Sequence, residues 1–321
     1  MSMAMWTKSL PSPELVVALV AENHGLLVER CVLLRSFTNE VYEVVAAGER
    51  YALKVYGHGR WSPAEVAWEQ QLVRALVPTK ITTAAPVPLL DGCLVGVLDA
   101  PEGSRAYALT SWVKGIKPTP PWTGDLYRDF GRLIARFHAA TSEYAAGNPR
   151  APFDLSQSTA AVVEALADDQ EHQDRVRGLG QQTLDQLARL RTDGLPEGIQ
   201  HGDASLDNLH VTPEGLVLHD FDLTGQGFPA ADLTGALSTE YADAFLAGYR
   251  SVRALTDVEL RALPWLRATE VIIKLEFHLV TKPAILGSCT KSEGWIDAGL
   301  TALDDLCREL NPTLNRPTTT P

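Results

Sequence analysis

The stretch QHGDASLDNLHVTPEGLVLHDFDLTGQGFPAADL, residues 200–233, concentrates more polar chemistry than any other part of the chain. Within it, LHVTPEGLVLHDFD (209–222) places two short apolar segments on either side of Pro-Glu-Gly, the pattern of a β-hairpin. A hairpin brings its two ends together. Asn208, just before the first strand, and Asp220, at the end of the second, are therefore expected to face one small volume. Carboxylate and amide oxygens gathered there suit a hard cation, because Mg2+ takes an oxygen octahedron and is held by one or two carboxylates together with water and substrate phosphates. Asp203, on the same loop, is placed to accept a proton from an attacking hydroxyl. Any one of these residues alone would read as the brace of a turn. Their combination with the DFD that closes the hairpin points to a metal-phosphate site, with Asp222 as a candidate auxiliary ligand.

Upstream of this loop the chain changes character twice. PELVVALVAENH (13–24) has apolar positions at helical spacing between a Ser12 cap and a Gly25 stop. LLVERCVLL (26–34), EVYEVVAA (40–47) and RYALKVYG (50–57) read as strands, the last two joined through Gly48 and Glu49 as an antiparallel hairpin. SPAEVAWEQQLVRAL (62–76) opens with Ser-Pro and an acidic residue, a helix beginning, and strand-like PVPLL, CLVGVL and AYALTSWV follow. After Gly115, IKPTPPWTGD ends the β-rich part. From Leu126 the pattern is helical through LYRDFGRLIARFHAATSEY, AVVEALADD and QQTLDQLARL, pauses at the 209–222 hairpin, and resumes over about 231–309. The order defines an α+β fold, and the tail from 311 to 321 is expected to be disordered.

Composition bounds the function. The 321 residues are 45% hydrophobic and 21% charged, which is ordinary for a globular chain. The net charge of −12 argues against a general nucleic-acid binder and suits a neutral or cationic small-molecule substrate. Cys31, Cys93, Cys289 and Cys307 form no zinc-like spacing and read as free thiols of a reducing compartment. The N-terminal stretch fits neither a signal peptide nor a membrane span, so a cytoplasmic location without membrane partners is expected. The oligomeric state is left open.

HGDASLDN (201–208) followed by HDFD (219–222) resembles the catalytic loop and metal motif of the aminoglycoside phosphotransferase and choline kinase superfamily. RYALKVYG, and the stretches KVYGHGRWSPAEVAWE and SFTNEVYEV, are similar to its stress response kinase and homoserine kinase branch. The resemblance implies a protein-kinase-like two-lobed fold: a small antiparallel sheet with one or two helices, then a larger, mainly helical lobe. Residues 1–110 would form the nucleotide-binding lobe, 111–118 the hinge, and 119–310 the catalytic and acceptor-binding lobe. It also implies ATP or GTP as donor, magnesium as cofactor and a small-molecule hydroxyl as acceptor. By motif position, Asp203 is the catalytic base, Asn208 and Asp220 bind the metal, and His201 and Asp232 support the loop. Lys54 contacts the phosphates, and Glu69 is expected to pair with it, with Glu65 as the alternative. Ser111 and Trp112 mark the adenine hinge.

Two departures accompany the resemblance. Ser205 stands where the family often has histidine, and the phosphate-covering turn RSFTNEVY has no glycine, leaving backbone amides with Ser36, Thr38 or Asn39 to cap phosphates. Glu270, Glu276 and His278 in RATEVIIKLEFHLV are candidates to line an acceptor cleft, where acidic groups would suit an amine-bearing sugar. A protein serine/threonine kinase, a silent nucleotide-binding module and a metal-dependent hydrolase are the competing readings.

Overall fold

A computed structural model describes residues 7–142, 144, 150–151 and 153–310. The expectation of a disordered tail at 311–321 lies outside the described residues. Helix α1 (Pro13–His24) begins at Ser12, whose hydroxyl accepts from Leu15 N, and ends at Gly25 with φ 67°. It packs Val16 and Val20 against a sheet built from β1 (Val28–Ser36), β2 (Glu40–Ala46), β3 (Glu49–Val55), β4 (Pro86–Val87), β5 (Gly96–Ala100) and β6 (Gly103–Ser111). All pairings in this sheet are antiparallel, in the order β1-β2-β3-β6-β4, with β5 on β6. Ala47 and Gly48, both with positive φ, turn β2 into β3, one residue earlier than the sequence pattern places the link. That conformation matches the twist of a two-residue hairpin.

Helix α2 (Pro63–Leu76) starts with a capping box: Ser62 accepts from Glu65 N while the Glu65 carboxylate accepts from Ser62 N. Its buried face, including Trp68, Leu72 and Leu76, joins the core of the helical half.

That half contains α3 (Gly124–Thr141), α4 (Leu155–Ala165), α5 (Gln170–Thr192), the strands β7 (Gly198–Gln200), β8 (Leu209–Thr212), β9 (Gly215–Leu218) and β10 (Gly225–Gly227), then α6 (Thr234–Leu237), α7 (Ala242–Arg250), α8 (Asp257–Glu276), α9 (Lys282–Leu286) and α10 (Trp295–Leu310). A five-residue π turn, Phe277–Thr281, joins α8 to α9. The protein is thus a two-lobed α+β fold of the kinase-like type. β10, absent from the sequence reading, pairs antiparallel with β7 across the base of the catalytic loop. Its sequence, GQG, has no alternating apolar pattern by which to recognise a strand.

The β8–β9 hairpin is fixed from outside as well as within. Leu218 N donates to Thr82 O at 3.0 Å, and Ile116 and Val211 exchange both backbone bonds. Phe137 of α3 supports the loop beneath, its ring 5.9 Å from that of His201 and 6.1 Å from that of Phe221. Among the described residues, no helix is long and apolar enough to cross a membrane. All four cysteines are free thiols.

Candidate active site

Asp232 organises the loop that carries Asp203. Its Oδ2 accepts from His201 N at 2.6 Å and its Oδ1 from Gly202 N at 2.9 Å, so one buried carboxylate binds two successive amides. His138 of α3 joins through Nε2, 2.9 Å from Asp232 Oδ2, and its Nδ1 lies 2.9 Å from the Tyr249 hydroxyl. Gly202 turns the chain at φ 81°, and a Cβ there would come 2.2 Å from Leu223 O. Only glycine allows the loop to lie so close to the segment after the hairpin. Thr224 Oγ1, donating to His201 O at 3.0 Å, fastens the same two segments.

On this base the predicted trio comes together. Asn208 Nδ2 donates to Asp203 Oδ2 at 2.8 Å and to Asp203 O at 2.9 Å, which leaves the amide oxygen as its remaining polar atom. His219 N donates to Asn208 O at 3.1 Å, so Asp220 follows directly from a residue bonded to Asn208. Asp220 adopts a left-handed conformation, φ 60° and ψ 68°, which turns the chain sharply out of β9. Such backbone is uncommon for a residue with a side chain, and it concentrates at functional sites.

Lys54 reaches this group from β3. Its Nζ is 3.1 Å from Asp220 Oδ1 and 3.3 Å from Asp222 Oδ1. Burial works against its charge, yet the two carboxylates hold the lysine well above its ordinary pKa. Lys54 in turn holds Asp220 below the usual carboxylate range against the effect of burial. Asp203 is pushed the other way: desolvation by the cleft raises its pKa, Asn208 opposes the rise, and the Asp220 charge adds to it. One carboxylate is thus firmly ionised, and the other has a higher proton affinity, which is the division expected between a charge-binding group and a proton acceptor.

The ion pair expected between Lys54 and Glu69 is not formed. Glu69 accepts from the Tyr56 hydroxyl at 2.7 Å and pairs with Arg150, while the face of Tyr56 lies 4.9 Å from Lys54 Nζ. The alternative, Glu65, spends its carboxylate on the helix cap. Arg150 is fully buried, donates to Asp222 O at 2.7 Å and stacks 4.4 Å over Trp61, so it links the glutamate of α2 to the segment after the hairpin. Its position next to Pro149 and Ala151 offers no pattern that would mark it in the sequence. Nor does the sequence single out Arg60, which donates to Asp222 Oδ2 from Nε at 3.0 Å and from its terminal nitrogen at 2.8 Å. His138 carried a faint signal, as a lone histidine on the apolar face of α3.

Asp222 is therefore first an ion-pair partner. Burial opposes its ionisation, but Lys54, Arg60 and Arg150 hold it well below the usual carboxylate range. Its Oδ1 is buried and lacks a hydrogen-bond donor, the 3.3 Å approach of Lys54 not having hydrogen-bond geometry. That orphaned oxygen, the Asp220 carboxylate and the Asn208 amide oxygen make a hard-oxygen donor set of the kind a magnesium ion fits. Ser205 contributes only its carbonyl, to Asn208 N, and makes no side-chain cap.

The other predicted contacts are partly committed elsewhere. In the 37–39 turn, Asn39 is buried and its Oδ1 accepts from Gly57 N at 3.1 Å, while Ser36 donates to Glu40. Thr38 is left as the side chain of this trio without such a commitment. The N–H groups of Ser111 and Trp112 donate to Ala85 O and Arg50 O, so an adenine base would have to meet other groups of the hinge. Across the cleft, the Phe37 ring at the tip of the turn meets Phe277 edge-on at 5.8 Å.

A groove of about 260 Å3 lies between α8 and α10, with Gly235 and Ser238 also in its lining. Glu270 and His278 line it. Glu276 does not: its Oε1 accepts from Thr281 at 2.8 Å.

A kinase-like fold with a lysine from the sheet meeting aspartates beyond a loop-and-hairpin defines the class: a phosphotransferase. Comparison with known proteins agrees. The sequence is 32% identical over 316 residues to an uncharacterized protein of Deinococcus radiodurans, covering 92% of this chain and 90% of that one. It is 30% identical over 213 residues to the homoserine kinase of Rhizobium johnstonii, covering 60% and 62% respectively. The fold is similar to that of the amicoumacin kinase hAmiN in complex with AMP-PNP, Ca2+ and Ami, with a TM-score of 0.73, 20% identity, and coverage of 91% and 93%. Residues 31–291 match the phosphotransferase enzyme family, and the chain belongs to that family. It is an enzyme of the class that phosphorylates hydroxyl groups.

Proposed function

We propose that this protein transfers the γ-phosphoryl group of ATP, or of GTP, to a hydroxyl of a small molecule in a single in-line step. The observation that carries the reading is the meeting of Lys54 with Asp220 and Asp222 beside the Asp203–Asn208 pair. In this reading Asp203 orients the acceptor hydroxyl and takes its proton as the oxygen bonds to the γ-phosphorus and the bond to the nucleoside diphosphate breaks. Lys54 exchanges part of its contact with Asp220 for the nucleotide phosphates, and Thr38 with the amides of its turn covers them. Asp220 and Asn208, with Asp222 Oδ1 adjacent, would hold magnesium, which when bound supplies neutralisation of phosphate charge. Glu69 and Arg150 act by holding the lobes and the DFD segment in register. The groove between α8 and α10 receives the acceptor.

The names of relatives support a small acceptor: one is a homoserine kinase, and a structural neighbour is an amicoumacin kinase. The test is an ATP-consumption screen over aminoglycosides, nucleoside antibiotics, amino alcohols, hydroxy amino acids and sugars, with mass spectrometry of each hit. A phosphate added to one of these compounds supports the reading. Radiolabel transfer to protein alone would make the chain a protein kinase, and ATP binding without transfer to any acceptor would make it a silent nucleotide-binding module.

A further inference from the structure

The turn that covers the phosphates in the proposed reaction is held rigidly at its base. Glu40, fully buried at the start of β2, accepts from Ser36 Oγ at 3.3 Å, pairs with Lys8 at 2.7 Å and forms an ion pair with Arg105. Lys8 also donates to Phe37 O, and the Asn39 side chain accepts from Gly57 N at 3.1 Å. RSFTNEVY contains no glycine, so the segment lacks the backbone freedom by which a flexible cover folds down on its ligand. A turn of this kind keeps its shape and moves with its sheet. Its closed position then depends on what its tip meets across the cleft.

That tip is Phe37, whose ring stands edge-on to Phe277 with centroids 5.8 Å apart and planes at 81°. The Arg35 guanidinium adds a cation–π contact, 5.4 Å from the centroid of the Phe37 ring. Phe277 is a fixed seat. It opens the π turn Phe277–Thr281, and such turns insert a residue into the helical repeat, re-aim side chains and recur at functional sites. Its ring is set against that of His278 at 5.2 Å, and His278 is stacked on Trp295 of α10. Thr281, donating to Glu276, and Lys282, paired with Glu293, fasten the same turn. Lys54 and Arg60 tie the sheet lobe to the DFD segment, whereas Phe37 reaches the end of α8. The lobes are thus joined at a second, separate point, and this one bears on the covering turn.

We infer that Phe277 is a positioning residue of the phosphotransfer site: Phe37 seats on it when the lobes close, and the pair holds the rigid turn at the height from which Thr38 and the turn amides reach the phosphates. The phosphates beneath the turn come from the phosphotransferase reading, on which the role given to Phe277 rests. The contact acts through the turn, so it strengthens binding of the phosphate chain and leaves binding of the base and ribose alone.

The experiment measures, by calorimetry with Mg2+, the affinity of AMP-PNP or GMP-PNP, whichever binds, and of the parent nucleoside by competition. The proteins compared are wild type, Phe37→Ala, Phe277→Ala, the double variant and Phe277→Tyr. Each alanine variant should weaken the analogue by about three- to ten-fold, the range an aromatic pair supplies, and leave the nucleoside unchanged. The double variant should lose no more than the larger single loss to within about a factor of two, because both changes remove one contact. Phe277→Tyr, which keeps a ring, should recover most of the affinity. With an acceptor from the screen, KM for the nucleotide should rise in proportion to the lost affinity, with kcat changed less. Should Phe277→Ala not fold, Phe277→Leu replaces it, and Phe37→Ala tests the contact from the other lobe. Additive losses, an equal loss for the nucleoside, or unchanged affinity in Phe37→Ala would overturn the role of Phe277. Non-additive loss of analogue binding without phosphoryl transfer to any acceptor would uphold it and count against the enzymatic reading. Binding of neither analogue by wild type would overturn both.

Discussion

Lys54 and Asp220 lie 166 positions apart in sequence and meet at 3.1 Å, which ties the central strand of the sheet to the residue that ends the catalytic hairpin. Among the described residues the lysine is the one cation in ion-pair contact with Asp220, whereas Asp222 also has Arg60. Lys54→Met should therefore leave Asp220 without its counter-charge. Turnover should fall by roughly two or more orders of magnitude, since phosphate charge is no longer met from the sheet. Steady-state kinetics with saturating nucleotide checks this. Activity within a few-fold of wild type would remove the lysine from phosphate binding.

The Asp232 carboxylate satisfies His201 N, Gly202 N and His138 Nε2 at once. Asp232→Ala should strand these buried donors and cost on the order of 3 kcal/mol in denaturant unfolding, with turnover lost because the Asp203 loop is no longer held. Asp232→Asn retains one acceptor oxygen and should fall between the two.

Arg150 and Glu69 form a buried pair in which each would be left uncompensated by loss of the other. Arg150→Met should destabilise the fold by about 3–5 kcal/mol, and adding Glu69→Gln should recover part of that loss. A double-mutant cycle by chemical denaturation measures the coupling. Simple additivity would show the pair to be incidental.

The pH dependences have opposite senses. Asp222 is ionised in the fold well below its unfolded value, so its contribution to stability is fully present above about pH 4 and is lost as the pH falls further, toward its folded pKa. The stability gap between wild type and Asp222→Asn should be constant from pH 8 to pH 5 and shrink below pH 4. Asp203 is raised, so the acid limb of kcat/KM should lie above the ordinary aspartate value of about 4, and activity should rise with pH through it.

The local structure was well marked in the sequence because its signals are local. Ser12, Ser62 with Glu65, and Pro-Glu-Gly each act within a few residues, and the helix and hairpin they predict are present. Convergence of Asp203, Asn208 and Asp220 followed from the same hairpin logic. Partner choice was harder to see. The Lys54–Glu69 pair was expected from family likeness, but Arg150, brought in from a segment with no periodic pattern, occupies the glutamate and leaves the lysine to the aspartates. The groove misled in a similar way: Glu270 and Glu276 share a helix, but only the first lines the groove between α8 and α10, while the second accepts from Thr281.

The account depends most on Asp203 being the group that takes the acceptor proton. The direct measurement is the turnover of Asp203→Asn alongside its affinity for a non-hydrolysable ATP analogue, using any acceptor found in the screen. Turnover should drop by roughly two to four orders of magnitude while analogue binding stays nearly unchanged. Unimpaired turnover in that variant would contradict the account.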